Sequence, residues 1–68
     1  MTGLAAAGDT LIVVKCELGL ASAVAVEIDR AAIAEIVGTL AGEDTIFVAV
    51  GGRKAQRAAM KKILGLFA

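Results

Sequence analysis

The hydrophobic period changes several times along the chain, and the order of these changes is the feature that most constrains the fold. Short β-branched runs predict strands at residues 10–17, 35–41 and 44–50, with residues 2–6 as a candidate hairpin partner for the first run. Helical spacing predicts two helices, at residues 20–31 and 53–67. The resulting order, ββαββα, favours an α+β fold in which a small antiparallel sheet carries both helices on one face.

The apolar stripe of each predicted helix marks the face that is expected to pack on the sheet. In the first helix the stripe consists of Leu20, Val24, Ile28 and Ala31. The wetter side of that helix carries Glu27 and Arg30. In the second helix the stripe consists of Ala55, Ala59, Ile63 and Leu66, widened by Met60, Leu64 and Phe67. With both helices on one side, the other sheet face or a helix flank must be covered by a neighbouring molecule.

The chain is short and has few ways to stabilise itself. A domain of 68 residues buries only about 60% of the surface of its unfolded chain, which leaves a thin margin of stability. Domains of this size usually add disulfides, a metal or a partner subunit, but Cys16 is the only cysteine and histidine is absent. We therefore expect one self-associating domain over residues 1–68, with Cys16 as a packing residue.

Cysteine usage and hydropathy indicate the cellular compartment. A lone cysteine forms no internal disulfide, which favours a reducing location. Residues 1–8 lack the basic start and the long apolar segment of a signal peptide. Charged residues or glycine interrupt every apolar stretch well before the roughly 18 residues that a membrane span needs. The sequence therefore predicts a cytoplasmic protein with no membrane partner.

Charge is distributed unevenly, although the net charge is zero. All seven acidic residues lie between Asp9 and Asp44, whereas five of the seven basic residues lie beyond residue 52. This polarity indicates head-to-tail contacts between subunits or an acidic site for a cation; the alternative is a basic helix face that is only solvated. The basic helix has no interleaved aromatic residue and no helix-turn-helix or RNP pattern, so we expect no DNA binding by this chain.

Two adjacent carboxylates, Glu43 and Asp44, lie in a turn led by Gly42 between two predicted strands. Their oxygens match the fixed fork of donors on a planar guanidinium better than the point charge of an ammonium, which favours an arginine ligand or an arginine side chain. The alternative is a solvated turn in which Asp44 bonds to local backbone amides. Calcium and magnesium need more oxygen ligands than this turn supplies, so no metal is expected.

Ser22 and Asp29 form a second polar pair, on the first predicted helix. At 1.5 Å of rise per residue they lie about 10 Å apart on one face, a distance that one small ligand spans. The alternatives are local, because Ser22 is also suited to an amide of the first helical turn and Asp29 to a surface base. With no histidine and no activated nucleophile, the chain is not expected to be an enzyme.

Two segments carry a family resemblance, Asp29-Arg30 and Glu35-Ile-Val-Gly-Thr-Leu-Ala-Gly-Glu-Asp-Thr-Ile-Phe47. They closely resemble the C-terminal domain of the bacterial arginine repressors, and the resemblance extends back through residues 11–15 and 19–28 and, less specifically, into the last helix. It implies a hexamer of two stacked trimers, with L-arginine bound where the trimers meet. The family's winged helix-turn-helix DNA-binding domain lies on the N-terminal side, and this chain is expected to lack it.

The resemblance also implies which residues bind L-arginine. Glu43 and Asp44 correspond to the acidic pair that meets the guanidinium, and Asp29 corresponds to the helix carboxylate that meets the amino end of the ligand. Ala41 lines the same place, and Ser22 corresponds to a polar residue that contacts the backbone end of the ligand.

Three positions depart from the family pattern. The family usually has two aspartates in the turn, so Glu43 carries its carboxylate about 1.5 Å further into the site. Ser22 stands where a longer Gln or His is common, which weakens one polar contact to the ligand. Leu18 stands where the family has a proline before Gly19.

The function implied by the resemblance is that of an arginine-sensing oligomerisation domain of a transcriptional repressor of arginine metabolism. Copies of the acidic turn repel one another near a symmetry axis, and bound arginine replaces that repulsion with bridging hydrogen bonds. Arginine would then tighten the hexamer by mass action. The alternative is a purely structural oligomerisation module, natural or engineered, that has lost arginine binding through Ser22 and Glu43.

Overall fold

The computed structural model describes residues 1–67 as four strands and two helices. In chain order the elements are β1 (Gly3–Ala7), β2 (Leu11–Lys15), α1 (Ala21–Arg30), β3 (Ile36–Ala41), β4 (Thr45–Val50) and α2 (Arg53–Phe67). The predicted order ββαββα is confirmed, and the candidate hairpin partner at residues 2–6 corresponds to β1. The bounds of α2 are the predicted ones, and the candidate strand at residues 2–6 is shifted by one residue from β1. The other predicted elements are longer than the observed ones by one or two residues at an end.

The four strands form one sheet in the order β1-β2-β4-β3, and every neighbouring pair is antiparallel. The chain leaves the central strand β2, passes through α1 to the edge strand β3, and returns to the centre through β4. A register shift between Ile36 and Gly38 marks a bulge at the start of β3. This order brings the end of β2 against the start of β4, with Lys15 opposite Thr45.

One face of the sheet is buried beneath the two helices. Alternate residues of the two central strands point to this face, as the period of two requires, and they are Ile12, Val14, Ile46, Val48 and Val50. The helices contribute Ala21, Ala25, Ile28, Ala59 and Ile63 to the same core cluster. Both helices therefore lie on one face of the sheet, as predicted.

The opposite face, here called the open face, has no covering element within residues 1–67. Its side chains lie in cross-strand register, with Val13 opposite Ala5 on one side and opposite Phe47 on the other, and Phe47 opposite Leu40. Leu40 is 73% exposed and Phe47 is 50% exposed. The open face is therefore an apolar surface in contact with solvent, as the prediction of an uncovered sheet face requires.

The predicted core stripe of the first helix is right in its middle, where Ile28 is buried and Val24 packs against the core, and wrong at its two ends. The buried residues of α1 are Ala21, Ala25 and Ile28, whereas Leu20 is 51% exposed and Ala31 is also exposed. Leu20 and Ala31 are the two cap residues that flank α1, so they lie outside the regular helical turns that pack on the sheet. Glu27 and Arg30 are exposed, as predicted, and form an ion pair with each other.

A buried glutamine in α2 was not predicted. Gln56 is only 3% exposed, and its Nε2 donates hydrogen bonds of 2.8 Å to the backbone oxygens of both Gly8 and Leu11. These two carbonyls flank the turn between β1 and β2, so the side chain ties the first hairpin to α2. Leu64 and Leu66, which were predicted to pack, are partly exposed instead.

Two ion pairs account for part of the uneven charge distribution. Arg53 Nη2 lies 2.7 Å from Asp9 Oδ1, and Lys62 Nζ lies 2.7 Å from Glu35 Oε1. The hydrogen bond from Lys62 lowers the pKa of Glu35 below its ordinary value. The basic helix therefore pairs with acids of its own subunit at two points, in addition to presenting a solvated basic face.

We predict that Ala32→Gly stabilises the fold. Ala32 follows α1 with φ of 51°, a left-handed conformation that strains every residue except glycine. After the greater entropy of an unfolded glycine is subtracted, the free energy of unfolding should rise by about 0.5–1 kcal/mol. Ala31→Gly is the matched control, because Ala31 has φ of −67° and should lose stability. Urea denaturation at one protein concentration measures both, and a loss of stability in Ala32→Gly would contradict the prediction.

Candidate functional site

The turn between β3 and β4 is held in place by its backbone. Gly42 N donates to Thr45 O at 2.8 Å and closes the turn. The carbonyl oxygens of the next two residues accept hydrogen bonds from the loop before α1, with Cys16 N 2.7 Å from Asp44 O and Gly19 N 2.8 Å from Glu43 O. Gly19 has φ of 85°, a conformation that favours glycine. Backbone hydrogen bonds therefore close the turn and tie it to the loop before α1.

The Asp44 side chain is half-exposed and contacts two other side chains, those of Thr45 and Lys15. Thr45 Oγ1 donates to Asp44 Oδ1 at 2.9 Å, and Lys15 Nζ lies 3.6 Å from Asp44 Oδ2. The hydrogen bond from Thr45, followed by the charge of Lys15, holds the pKa of Asp44 below its ordinary value. Glu43 is exposed beside it. The turn therefore carries two carboxylates next to each other, and Asp44 stays ionised under mildly acidic conditions.

An apolar groove adjoins the acidic turn. It has a volume of about 340 Å³ and is lined by Leu40, Ala41, Gly42, Thr45 and Phe47. The groove is open to solvent along the edge of the open face. A ligand whose cationic end reached the turn would have an apolar wall beside its aliphatic part.

Asp29 lies in a different place, on the last turn of α1. Its Oδ1 accepts a hydrogen bond of 2.9 Å from Thr39 Oγ1 on β3, so its partner is a hydroxyl rather than the surface base that was considered as an alternative. A second groove, of about 150 Å³, is lined by Asp29 together with residues from the end of α1 to the bulge in β3. Ser22 is exposed in the first turn of the same helix.

The five predicted site residues lie at three places. Ala41, Glu43 and Asp44 belong to the end of β3 and the acidic turn. Ser22 lies in the first turn of α1, just after the loop whose Gly19 bonds to the acidic turn, and Asp29 lies in the last turn of the same helix. The groove that contains Ala41 and the groove that contains Asp29 have no lining residue in common. Within residues 1–67, the predicted site residues are therefore not gathered in one closed pocket.

Three partners of these carboxylates escaped the sequence analysis. The partner Thr45 could have been predicted, because it directly follows Asp44 and a hydroxyl next to a turn carboxylate commonly bonds locally. Lys15 and Thr39 reach their aspartates only because of the strand order and of the packing of α1 on β3. Among residues 1–67, no group of three or more metal-ligating side chains occurs, and no helix has the length and hydropathy to cross a membrane.

The chain was compared with known proteins. The family model described as "Arginine repressor, C-terminal domain" matches residues 5–65. A protein named arginine repressor from Thermotoga petrophila is 68% identical over 40 residues, which cover 59% of this chain and 26% of that protein. Another from Desulforudis audaxviator is 42% identical over 60 residues, which cover 88% of this chain and 40% of that protein.

A third arginine repressor, from Solibacter usitatus, is 43% identical over 56 residues, which cover 82% of this chain and 39% of that protein. Since the family model covers most of the chain, the chain belongs to the family of arginine repressor C-terminal domains. The matched segment spans at most 40% of the length of these three relatives.

We predict that Thr45→Val raises the pKa of Asp44 towards its ordinary value, because the hydroxyl that donates to Oδ1 is lost while the β-branched shape is kept. Thr39→Val is the matched control, since Thr39 bonds to Asp29 instead. Because the folded-state pKa is the lower one, Asp44 stabilises the fold above the ordinary carboxyl range, and this contribution is lost as pH falls through the lowered pKa. A carboxyl-carbon NMR titration measures the pKa, and an unchanged value in Thr45→Val would refute this assignment.

Proposed function

We propose that this chain is the arginine-sensing oligomerisation domain of a transcriptional repressor of arginine metabolism. Membership of the arginine repressor C-terminal family supports this proposal. The structural observation that carries it is that, within residues 1–67, the predicted site residues are not gathered in one closed pocket and an apolar sheet face is exposed. In this proposal, L-arginine binds between subunits where trimers meet, and assembly completes the site.

The chemistry of the acidic turn suits a guanidinium. Glu43 and Asp44 are adjacent, and the pKa of Asp44 is lowered, so the turn remains anionic at neutral pH. A guanidinium offers planar, paired donors that match carboxylate oxygens in a bidentate way. The Leu40–Phe47 side of the neighbouring groove accommodates the aliphatic part of the ligand. In this proposal, Asp29 and Ser22 bind the end of L-arginine that carries its amino and carboxyl groups.

The open face supports self-association. Val13, Leu40 and Phe47 form a contiguous apolar row across three strands, and such a row loses unfavourable contact with water when a second copy covers it. A chain this short also lacks the buried surface of a larger domain. The proposed assembly is a homotrimer that pairs into a hexamer.

Ligand binding and assembly are linked in this proposal. Turns from several subunits bring like charges together, which weakens the unliganded hexamer. A bound guanidinium neutralises these charges and bridges them, so arginine binding and hexamer formation favour each other. The proposed protein acts in the cytoplasm as a regulator and not as an enzyme, and this chain alone does not bind DNA.

A structural module without ligand binding is the second candidate function. Two positions favour it, because Ser22 is shorter than the polar residue common in the family and Glu43 is longer than the usual aspartate. Calorimetric titration with L-arginine separates the two functions. Heat of binding that saturates supports the sensor, and its absence in an intact oligomer supports the structural module.

We predict that Asp44→Asn weakens L-arginine binding by about tenfold or more, since a charge-assisted hydrogen bond contributes about 1.5–3 kcal/mol. The backbone bonds of the turn should keep the variant folded. Asp9→Asn is the control, because it removes the same charge at the Arg53 ion pair, away from the turn. Calorimetry measures both affinities. An Asp44→Asn affinity equal to that of the parent would exclude the acidic turn as the guanidinium site.

We predict that Phe47→Asp dissociates the oligomer, because a carboxylate in the centre of the open face must be desolvated when a second copy covers it. The lost burial of the ring alone should raise the dissociation constant by about tenfold or more. Leu64→Asp is the control, since Leu64 has similar exposure but lies on α2. Light scattering after gel filtration gives the mass of each. Dissociation by the Leu64 change only would place the interface on the helix layer instead.

A further inference from the structure

Lys15 lies beside the acidic turn, and the proposed function gives it no role. It is the last residue of β2, and its cross-strand partner is Thr45 at the start of β4. Its side chain is half-exposed, as is that of Asp44. Within residues 1–67, four ion pairs occur, and only that of Lys15 involves a predicted ligand-binding carboxylate, Asp44.

Three side chains form a closed arrangement at this point. Lys15 Nζ donates to Thr45 Oγ1 at 2.5 Å, and Thr45 Oγ1 donates in turn to Asp44 Oδ1 at 2.9 Å. Lys15 Nζ also lies 3.6 Å from Asp44 Oδ2. Both carboxylate oxygens of Asp44 therefore already have a partner within the subunit.

A guanidinium that binds Asp44 in a bidentate way needs both of these oxygens. The ammonium of Lys15 would then lie next to a second positive charge. Two cations on one carboxylate repel each other, so the ammonium must move away for the guanidinium to bind. Lysine suits such a movement, because its charge is carried on a flexible four-carbon stem.

We propose that Lys15 is a resident cation that occupies Asp44 in the free subunit and is displaced by the guanidinium of the ligand, so that it sets the affinity of the site. This inference rests on the proposed function. The lowered pKa of Asp44, to which the charge of Lys15 contributes, agrees with an ion pair in the free protein. The pair is exposed and therefore weak, which means that displacement costs little and tunes the affinity without preventing binding.

The test is a graded series at position 15. Lys15→Met keeps the length of the side chain but removes the competing charge, and L-arginine should bind about two- to fivefold more tightly. Lys15→Arg keeps the charge and offers a fork that holds Asp44 more firmly, so L-arginine should bind more weakly than to the parent. Lys61→Met is the charge-matched control, because Lys61 forms no ion pair within residues 1–67 and lies on α2. Calorimetry on the assembled protein measures all four affinities, and circular dichroism checks their folding.

Each outcome distinguishes the inference from the function on which it rests. The inference is supported if L-arginine affinity falls in the order Lys15→Met, parent, Lys15→Arg and if the Lys61→Met control binds as tightly as the parent. Equal affinities, or weaker binding by Lys15→Met, would overturn the inference alone, since Lys15 would then be neutral or would itself hold the ligand. If Lys15→Met does not fold, the Arg variant decides, because binding as tight as that of the parent contradicts competition. An absence of binding in every protein, the parent included, would reject the proposed function and the inference together.

Discussion

The sheet buries only one of its two faces, and most other features of the molecule depend on this imbalance. The helices cover the even-numbered residues of β2 and β4, where Ile12, Val14, Ile46 and Val48 are fully excluded from solvent. On the odd-numbered side, Val13 and Phe47 meet across the same two strands without a covering element in residues 1–67. In the proposed function, a second copy of the chain covers this face.

In the acidic turn, backbone atoms make the bonds that hold the loop, and side-chain carboxylates make the contacts expected of a binding site. Backbone bonds from the loop before α1 fix Glu43 and Asp44 at their carbonyl oxygens. Their carboxylates are thus free to meet other groups, and Asp44 meets Lys15 and Thr45. Across the subunit, Asp29 is positioned by Thr39 in a separate groove. Neither groove contains all of the predicted ligand contacts, so in the proposed function the assembly that covers the open face also completes the site.

Local pattern predicted most of the fold, and packing accounts for what it missed. Gly51 and Gly52 separate β4 from α2 clearly, so the start of that helix was predicted correctly. Alanine is a weak strand former, which is why residues 2–6 were only a candidate strand. The core stripe of α1 was right at Val24 and Ile28 and wrong at Leu20 and Ala31, because periodicity does not show that these two residues are the caps of the helix. Gln56 was missed because its burial depends on two backbone oxygens, those of Gly8 and Leu11, which only the folded structure brings within its reach.

Residue type and spacing singled out Glu43, Asp44, Ser22 and Asp29, and the family resemblance added Ala41 and the role of each residue. All five remain predictions, whereas the contacts of Lys15 and Thr39 needed the strand order. Sedimentation velocity of the chain at tens of micromolar, alone and with L-arginine or its uncharged analogue L-citrulline, tests the claim that assembly completes an arginine site. We predict an oligomer without ligand, a shift to the hexamer with L-arginine, and a smaller shift or none with L-citrulline, which lacks the positive charge. A monomer under all three conditions, or an oligomer that does not respond to arginine, would contradict the account.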